Sequence, residues 1–388
     1  MFEYPAQSRF RYAGGTCTHR VSSLIRVAAD NGEVGIGSVY SHPRLVETIV
    51  TEQIAPMLRG RDPTAVEDLW RLMYGLTRWY GRKGAAVSAI GGVETALWDL
   101  RGKQARTPVW KLLGGENVKA VPAYASALLW DDDVAALGRE ARVHLDRGFR
   151  RMKMRLGRSW DYDVAALEAV TTACGRDGEV MVDGSLRYTV DRAARLVGEL
   201  EARGAVWFEE PFEPEDIDAF VALQKRSRIP LAAGENEFGL QGFRELLRAD
   251  AIDIAQADVC RCGGIGEAMA VGKLAAAHGK RLAPHTWSDA VAVMANAHVV
   301  AASPNGFTVE IDQTGNPFIA ALLRDPLEVR DGMLRLSDAP GLGVALDEEV
   351  VARHRWPAGR PLPDGAYSDM IFGPTHLAPA PPYRDGQA

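Results

Sequence analysis

The chain reads as an α/β protein built on a parallel barrel, with a smaller α+β domain in front of it, and three observations predict this. Eight short apolar or β-branched runs, VPAYAS, RRMKMRL, EVMVDGS, AVWFEEPF, IPLAAGEN, DIAQADVC, KRLAPHTW and GFTVEID, begin at residues 121, 150, 179, 205, 229, 253, 280 and 306, at intervals of 29, 29, 26, 24, 24, 27 and 26 residues. Between most of them lie Ala-, Leu-, Arg- and Glu-rich segments of helical spacing. Upstream of residue 118 that alternation is missing. Eight strands alternating with helices at such intervals make a parallel α/β barrel. An open doubly wound sheet would want a Gly-rich phosphate turn after an early strand, and none is present.

The elements follow in order. RVSSLIRVAADNGEVGIGSVY reads as two strands joined at Asn31-Gly32, a strong hairpin signal, and helical segments continue through AIGGVETALWDLRGKQA. These form the α+β domain, residues 1–118. The barrel, residues 119–330, carries helices such as DYDVAALEAVTTAC and DRAARLVGELEARG, the latter stopped at Gly204. Residues 331–388 have turns and short strands without the barrel period and are expected to pack back on the first domain. The final APAPPYRDGQA, Pro-rich and polar, is expected to fray.

Composition limits the function classes. With 388 residues, 47% of them hydrophobic and 25% charged, the chain can bury a large core. A net charge of -6 gives no global attraction to nucleic acid or anionic membranes, so an anionic partner must meet a local cluster. A small carboxylate molecule fits that better than a polymer. There is no 18-residue apolar run, no signal-peptide pattern and no disulfide framework among Cys17, Cys174, Cys260 and Cys262, which points to the cytoplasm. Cys260 and Cys262 lack a second Cys/His pair at zinc spacing and read as packing residues. A homo-oligomer is expected.

Chemistry is sought at the strand ends, because a barrel of this kind works at its C-terminal mouth. Asp183, Glu209 and Glu235 close the third, fourth and fifth strands, 26 residues apart each time. Three converging carboxylates repel one another unless a hard divalent cation holds them, and magnesium is the expected ion. Taken singly, each could instead cap the following helix. Opposite them, Lys153 and Arg155 share one face of the second strand. His285 closes the seventh strand and Asp258 the sixth, so Asp258 can fix the imidazole tautomer and make His285 a base; a lone strand-end His would more often be structural. Glu310, ending the eighth strand, completes the ring.

These residues lie in motifs with a known likeness. KMR, VDGS, EEP, GEN, ADVCRCGGIGEA and APHTW occur in this order, preceded by ETALWDLRGKQARTPVWKLLGG and followed by PGLGVALDE. From about residue 20 to 350 the chain closely resembles the mandelate racemase subgroup of the enolase superfamily. The resemblance implies a (β/α)7β TIM-like barrel, a capping domain completed by the C-terminal segment, and Mg2+, with Mn2+ as a substitute, on Asp183, Glu209 and Glu235. It implies removal of a proton next to a carboxylate. It also implies Lys153 as an electrophilic partner of that carboxylate, His285 with Asp258 as an acid/base dyad, and Glu310 as a hydrogen-bonding group to the other carboxylate oxygen.

One departure directs the functional reading. Arg155 stands where members with two bases carry a second lysine, and an arginine is almost never neutral. One base remains, which suffices for abstraction and for helping a β-hydroxyl leave. The leading expectation is therefore dehydration of a sugar acid, an aldonate or aldarate, to a 2-keto-3-deoxy acid, with Arg155 as a fixed cation for a hydroxyl or second carboxylate. An isomerase, cycloisomerase or epimerase of an aldarate, its lactone or another 2-hydroxy acid needs the same chemistry; a racemase with Tyr124 as second base, or a metal-binding structural protein, are further alternatives. For substrate binding, the lid-like stretches GGTCTHR and WYGRKG offer His19, Arg20, Arg82 and Lys83, and the VDGS run offers Ser185.

Overall fold

The computed structural model describes residues 1–12, 15–357, 359–373 and 382–385. Its centre is a ring of parallel strands: β1 (Ala120–Ser126), β2 (Arg151–Arg155), β3 (Glu179–Asp183), β4 (Phe208–Glu209), β5 (Leu231–Ala233), β6 (Ile254–Ala255), β7 (Arg281–Leu282) and β8 (Val309–Asp312). Each of β1 to β6 pairs in parallel with the next, and β8 pairs in parallel with β1. Closure comes between β7 and the run into β8, where Leu282 N donates to Asn305 O (3.0 Å) and Phe307 N to Leu282 O (2.8 Å). The crossover helices are α1 (Val134–Asp146), α2 (Trp160–Cys174), α3 (Val190–Ala202), α4 (Ile217–Gln224), α5 (Gly239–Arg248), α6 (Ile265–Ala277) and α7 (Ala290–Ala302). Several start on a side-chain cap, Asp133, Ser159, Thr189, Asp216 and Asp289 each accepting from a backbone N–H of the first turn.

Ahead of the barrel, the strands Ser23–Ala28 and Val34–Val39 form the hairpin expected around Asn31-Gly32. They lie against the helix Ala85–Gln104, whose small residues admit close approach: a Cβ added to Gly35 or Gly37 would come 2.0 Å from a carbonyl oxygen of that helix, Ala96 or Gly92. The helix is buried on nearly all sides because it is also held to the barrel. Its Glu94 accepts from Ile265 N (2.7 Å) and Gly266 N (2.9 Å) at the start of α6, filling the role of the missing cap there. Asp99 accepts from Ile36 N and Leu342 N, both 2.8 Å, joining hairpin, helix and C-terminal segment. Asp289, capping α7, also accepts from Ser22 and Ser38 of the hairpin, both 2.6 Å.

The C-terminal segment returns along both regions. Met333–Arg335 pairs antiparallel with the start of β1, and Met370–Ile371 pairs antiparallel with His19–Arg20, which also pairs with Phe2–Glu3. The expected fraying is corrected for Pro382–Asp385: Tyr383 is buried against Tyr188, and Asp385 takes a two-pronged ion pair from Arg192. The rest of APAPPYRDGQA, and Gly14 of GGTCTHR, lie outside the described residues. Cys17, Cys174, Cys260 and Cys262 are all free and buried. Among the described residues no helix is long and apolar enough to cross a membrane.

Candidate active site

Strand register brings the charged residues to one level at the C-terminal mouth. Across the parallel pairs, Arg155 lies beside Asp183 and Asp183 beside Glu209, so three charges share a row on β2, β3 and β4. Glu235 lies just past β5, Asp258 past β6 and His285 past β7, in the loops rather than in the strands where the sequence runs placed them. One carboxylate oxygen from each of Asp183, Glu209 and Glu235 lies within 4.8 Å of the others. Oxygen-only donors so disposed suit a hard divalent cation, and Glu235 Oε2 is buried with no hydrogen-bond partner among the described residues, so a ligand position is open for one.

Lys153 sits beneath this layer and contacts Glu209, with Glu310 at 2.9 Å and Asp183 at 3.9 Å. Burial works against its ammonium, but Glu209 and Glu310 more than compensate and raise its pKa, so it stays charged. Burial pushes Glu310 up, yet Lys153, His285 and Arg155 together hold it down at about 2. As a carboxylate it accepts from Thr286 N (2.8 Å). For Glu209 burial dominates and Lys153 offsets it only in part, leaving the group above the usual carboxylate range; Trp207 Nε1 donates to its other oxygen at 3.0 Å. Arg155 forms an ion pair with Asp183 and lies 5.2 Å from the Trp287 ring centre, on the cavity wall.

The His285/Asp258 pair is closed and oriented. Asp258 Oδ2 is 2.9 Å from His285 Nδ1, while Asp258 Oδ1 accepts from Cys260 N (2.9 Å) and Asn296 Nδ2 (3.2 Å). His285 Nε2 is thereby turned toward the carboxylates, 3.6 Å from Glu235 Oε2. Burial lowers the imidazole pKa, but Glu235, Glu310 and Asp258 raise it to about 9. A divalent cation on Asp183, Glu209 and Glu235 would oppose that rise by Coulomb repulsion.

A cavity of about 340 Å³ opens over this floor. Arg155, Asp183, Ser185, Glu235 and His285 line it. Ser185, at φ 54°, has a buried Oγ without a hydrogen-bond partner among the described residues, while its N–H donates to Asp183 (2.7 Å). Lys153, Glu209 and Glu310 lie behind the wall. The lid expectations need correction. Arg20 is wholly buried and ion-paired through both terminal nitrogens with Asp312 and Asp369, and its guanidinium lies 5.0 Å from the Trp287 ring, so its charge is already compensated away from the cavity. His19 lies on a strand outside the cavity lining, with Thr18 Oγ1 2.9 Å from Nδ1 and Glu3 3.8 Å from Nε2. Arg82 is exposed and also outside the lining; Lys83 pairs with Glu237 at 2.7 Å, beside the cavity-lining Gly84. Tyr124 is buried in the barrel interior below the mouth, its hydroxyl without a partner among the described residues and its pKa raised well above normal by that burial, which unfits it as a base.

Sequence reading missed Tyr40, Asn236, Arg261, Tyr367 and Ser368, all on the cavity wall. Arg261 had a signal, being a cation just past a strand end and set between two packing cysteines. Tyr367 and Ser368 had none, because only the antiparallel return of Met370–Ile371 carries them there.

Residues 136–350 match the family model described as enolase C-terminal domain-like, and residues 3–114 match the mandelate racemase / muconate lactonizing enzyme N-terminal domain. The chain is 33% identical to the D-galactarolactone cycloisomerase of Agrobacterium fabrum, over 92% of this chain and 97% of that protein. With the arabinonate dehydratase of Saccharolobus solfataricus it shares 32% identity, over 85% and 89%. A racemase from Streptomyces coelicolor A3(2), solved with bound magnesium, superimposes with a TM-score of 0.83 at 32% identity, over 91% and 97%. With both family models satisfied in order and the carboxylate trio, lysine and His/Asp pair gathered at one barrel mouth, the chain belongs to the mandelate racemase/muconate lactonizing enzyme group of the enolase superfamily.

Proposed function

We propose that this protein abstracts the proton α to the carboxylate of an acid sugar, with Mg2+ as cofactor, and eliminates water from the β-carbon to give a 2-keto-3-deoxy acid. The observation that carries the reading is the single base: His285, oriented by Asp258, is the cavity-lining imidazole, while the position for a second base on β2 holds Arg155. Asp183, Glu209 and Glu235 would hold the ion, which would supply positive charge against the negative charge that develops on deprotonation. Mn2+ would serve in the same oxygen set.

The residues then divide the work. His285 Nε2 accepts the α-proton, since Nδ1 is engaged with Asp258. Lys153 supplies a buried positive charge next to the reacting carboxylate and needs no reorganisation to do so. Glu310, a carboxylate as the site stands, donates to a substrate oxygen only after taking up a proton together with the substrate. As the β C–O bond breaks, the imidazolium returns its proton to the departing hydroxyl, water leaves, and the enol ketonises.

The 33% identity to a lactone cycloisomerase favours a second reading with the same base, in which a ring oxygen is the leaving group. A screen of aldonates, aldarates and their lactones with Mg2+ distinguishes them: mass loss of one water marks dehydration, an unchanged mass with a new 2-keto group marks ring opening. Absence of α-proton exchange in deuterium oxide with every acid in the screen would sink both. A cytoplasmic homo-oligomer belongs to this reading, supported by four unpaired buried thiols and by the exposed Leu76, Trp79 and Tyr80; light scattering tests the assembly.

A further inference from the structure

Arg261 is a cation on the cavity wall that the proposed proton abstraction does not use. It lies in the short helix Val259–Cys262, which starts from Asp258, and it lines the cavity together with Tyr40, Asn236 and Phe238. Its guanidinium lies 5.0 Å from the Tyr40 ring centre and 5.2 Å from that of Phe238, and Nη2 donates to Asn236 Oδ1 at 2.8 Å. Asn236 in turn donates to Glu210 at 2.7 Å, which sets its amide orientation and hence that of the arginine. The other cations around the mouth are each paired with an acid: Lys153 with Glu209 and Glu310, Arg155 with Asp183, Lys83 with Glu237, His285 with Asp258. Arg261 has no carboxylate within ion-pair distance among the described residues, and its Nε is buried without a hydrogen-bond partner.

A planar cation fixed by two rings and one amide is prepared for a planar anion, since the loss of side-chain freedom has already been met. Filling the cavity removes water from the guanidinium, and a neutral ligand group would leave that charge uncompensated. We infer that Arg261 binds a second carboxylate, remote from the one that reacts, so that the substrate is a dicarboxylic acid sugar rather than a monocarboxylic one. This rests on the proposed function for the placement of the first carboxylate over Asp183, Glu209 and Glu235. A cavity of about 340 Å³ suits a single small diacid.

The test is binding, read by titration calorimetry with Mg2+ on protein carrying His285→Asn, which halts turnover and leaves Arg261, Asn236, Tyr40 and Phe238 unchanged. Matched aldarates and aldonates of the same configuration are the probes. The aldarates are expected to bind about 10- to 100-fold more tightly, the scale of a charge-assisted pair, and Arg261→Gln added to His285→Asn should erase that gap. Arg261→Lys should keep part of it through charge alone, and serves as well should the glutamine variant fail to fold. Equal affinity for the two acid classes, or a gap that survives Arg261→Gln, overturns the assignment. Failure of the underlying chemistry would appear elsewhere, as tight aldarate binding without α-proton exchange in the unmutated protein.

Discussion

Asp258→Asn is the perturbation for which the structure gives the most detailed expectation. The two oxygens of Asp258 do different things: Oδ1 receives hydrogen bonds from Cys260 N and Asn296 Nδ2, and Oδ2 faces His285 Nδ1 at 2.9 Å. An asparagine must keep its carbonyl oxygen where those two donors point, so its NH2 is turned toward His285. The neutral imidazole then accepts at Nδ1 and carries its proton on Nε2, the nitrogen that faces the reacting carbon, and there it cannot accept another. Restoring the productive tautomer sets two donors against each other in a buried site, forfeiting a charge-assisted bond of about 1.5–3 kcal/mol, or roughly 10- to 150-fold. Loss of imidazolium stabilisation adds to that, and the same exchange in Ser-His-Asp hydrolases costs about 10^4 in kcat. We expect kcat and α-proton exchange to fall about 10^3- to 10^4-fold with KM nearly unchanged. Exchange is followed by proton NMR in deuterium oxide. Because asparagine keeps the helix cap and the Asn296 bond, the unfolding midpoint should move little, which separates a tautomer error from misfolding. A folded variant retaining kcat within about tenfold of the parent would refute the assignment of His285 as a base held by Asp258.

Three further expectations follow. Asp183→Asn, Glu209→Gln and Glu235→Gln should each abolish turnover and weaken Mg2+ binding, and protein dialysed against EDTA should regain activity only with Mg2+ or Mn2+; full activity in EDTA would rule the trio out. Native protein should exchange the α-proton of one epimer only, whereas Arg155→Lys, which supplies a group able to lose its proton when crowded by Lys153, should begin to exchange that of the other; equal exchange of both epimers by the native chain would remove the single-base reading. His298, buried between Trp110 N (2.8 Å to Nδ1) and Leu342 O (3.1 Å from Nε2), has its pKa lowered by burial to about 4. The unfolded chain takes up this proton first, near pH 6.5, so stability present above pH 6.5 is lost as pH falls toward 4, by at most about 3 kcal/mol. His298→Gln, which can accept and donate in the same place, should flatten that part of the stability profile in urea titrations; an unchanged slope would count against a neutral His298.

The fold was legible because barrel strands, buried on both faces, stand out as apolar runs, and the helices between them restore the period. Asp183, Glu209, Lys153 and Arg155 could be placed because they lie within strands, where alternation fixes the face. Glu235, Asp258 and His285 were found despite lying past the strand ends, since a polar residue there breaks the apolar run at the right spacing. Arg20 was misplaced for a physical reason. Sequence shows that Arg20 is a cation but not that Asp312, 292 residues later, and Asp369, 349 later, converge on it. Tyr367 and Ser368 were hidden for the same cause: nothing local distinguishes a loop on the surface from one folded over a mouth by a distant strand pair.

That correction to Arg20 bears on why β2 carries an arginine beside its lysine. Lys153 lies below the mouth, enclosed by Glu209 and Glu310, where a compact ammonium is stabilised by two carboxylates and need not reach the cavity. Arg155, two residues on, stands at the wall between the Asp183 carboxylate and the Trp287 ring. A lysine there could shed its proton and become a second base; an arginine keeps its charge and adds a flat face suited to indole. The indole is itself held from the side of the cap, since Arg20 lies 5.0 Å from the same ring and Nη1 donates to Trp287 O at 3.3 Å. Removing Arg20 would leave Asp312 and Asp369 buried without their counter-ion and free the plate on which Arg155 rests. Arg20 thus bears on the cavity through Trp287 and Arg155, not by contact, and its buried ion pairs tie the first strands, β8 and the C-terminal segment to the residue on which the proposed one-base reading rests.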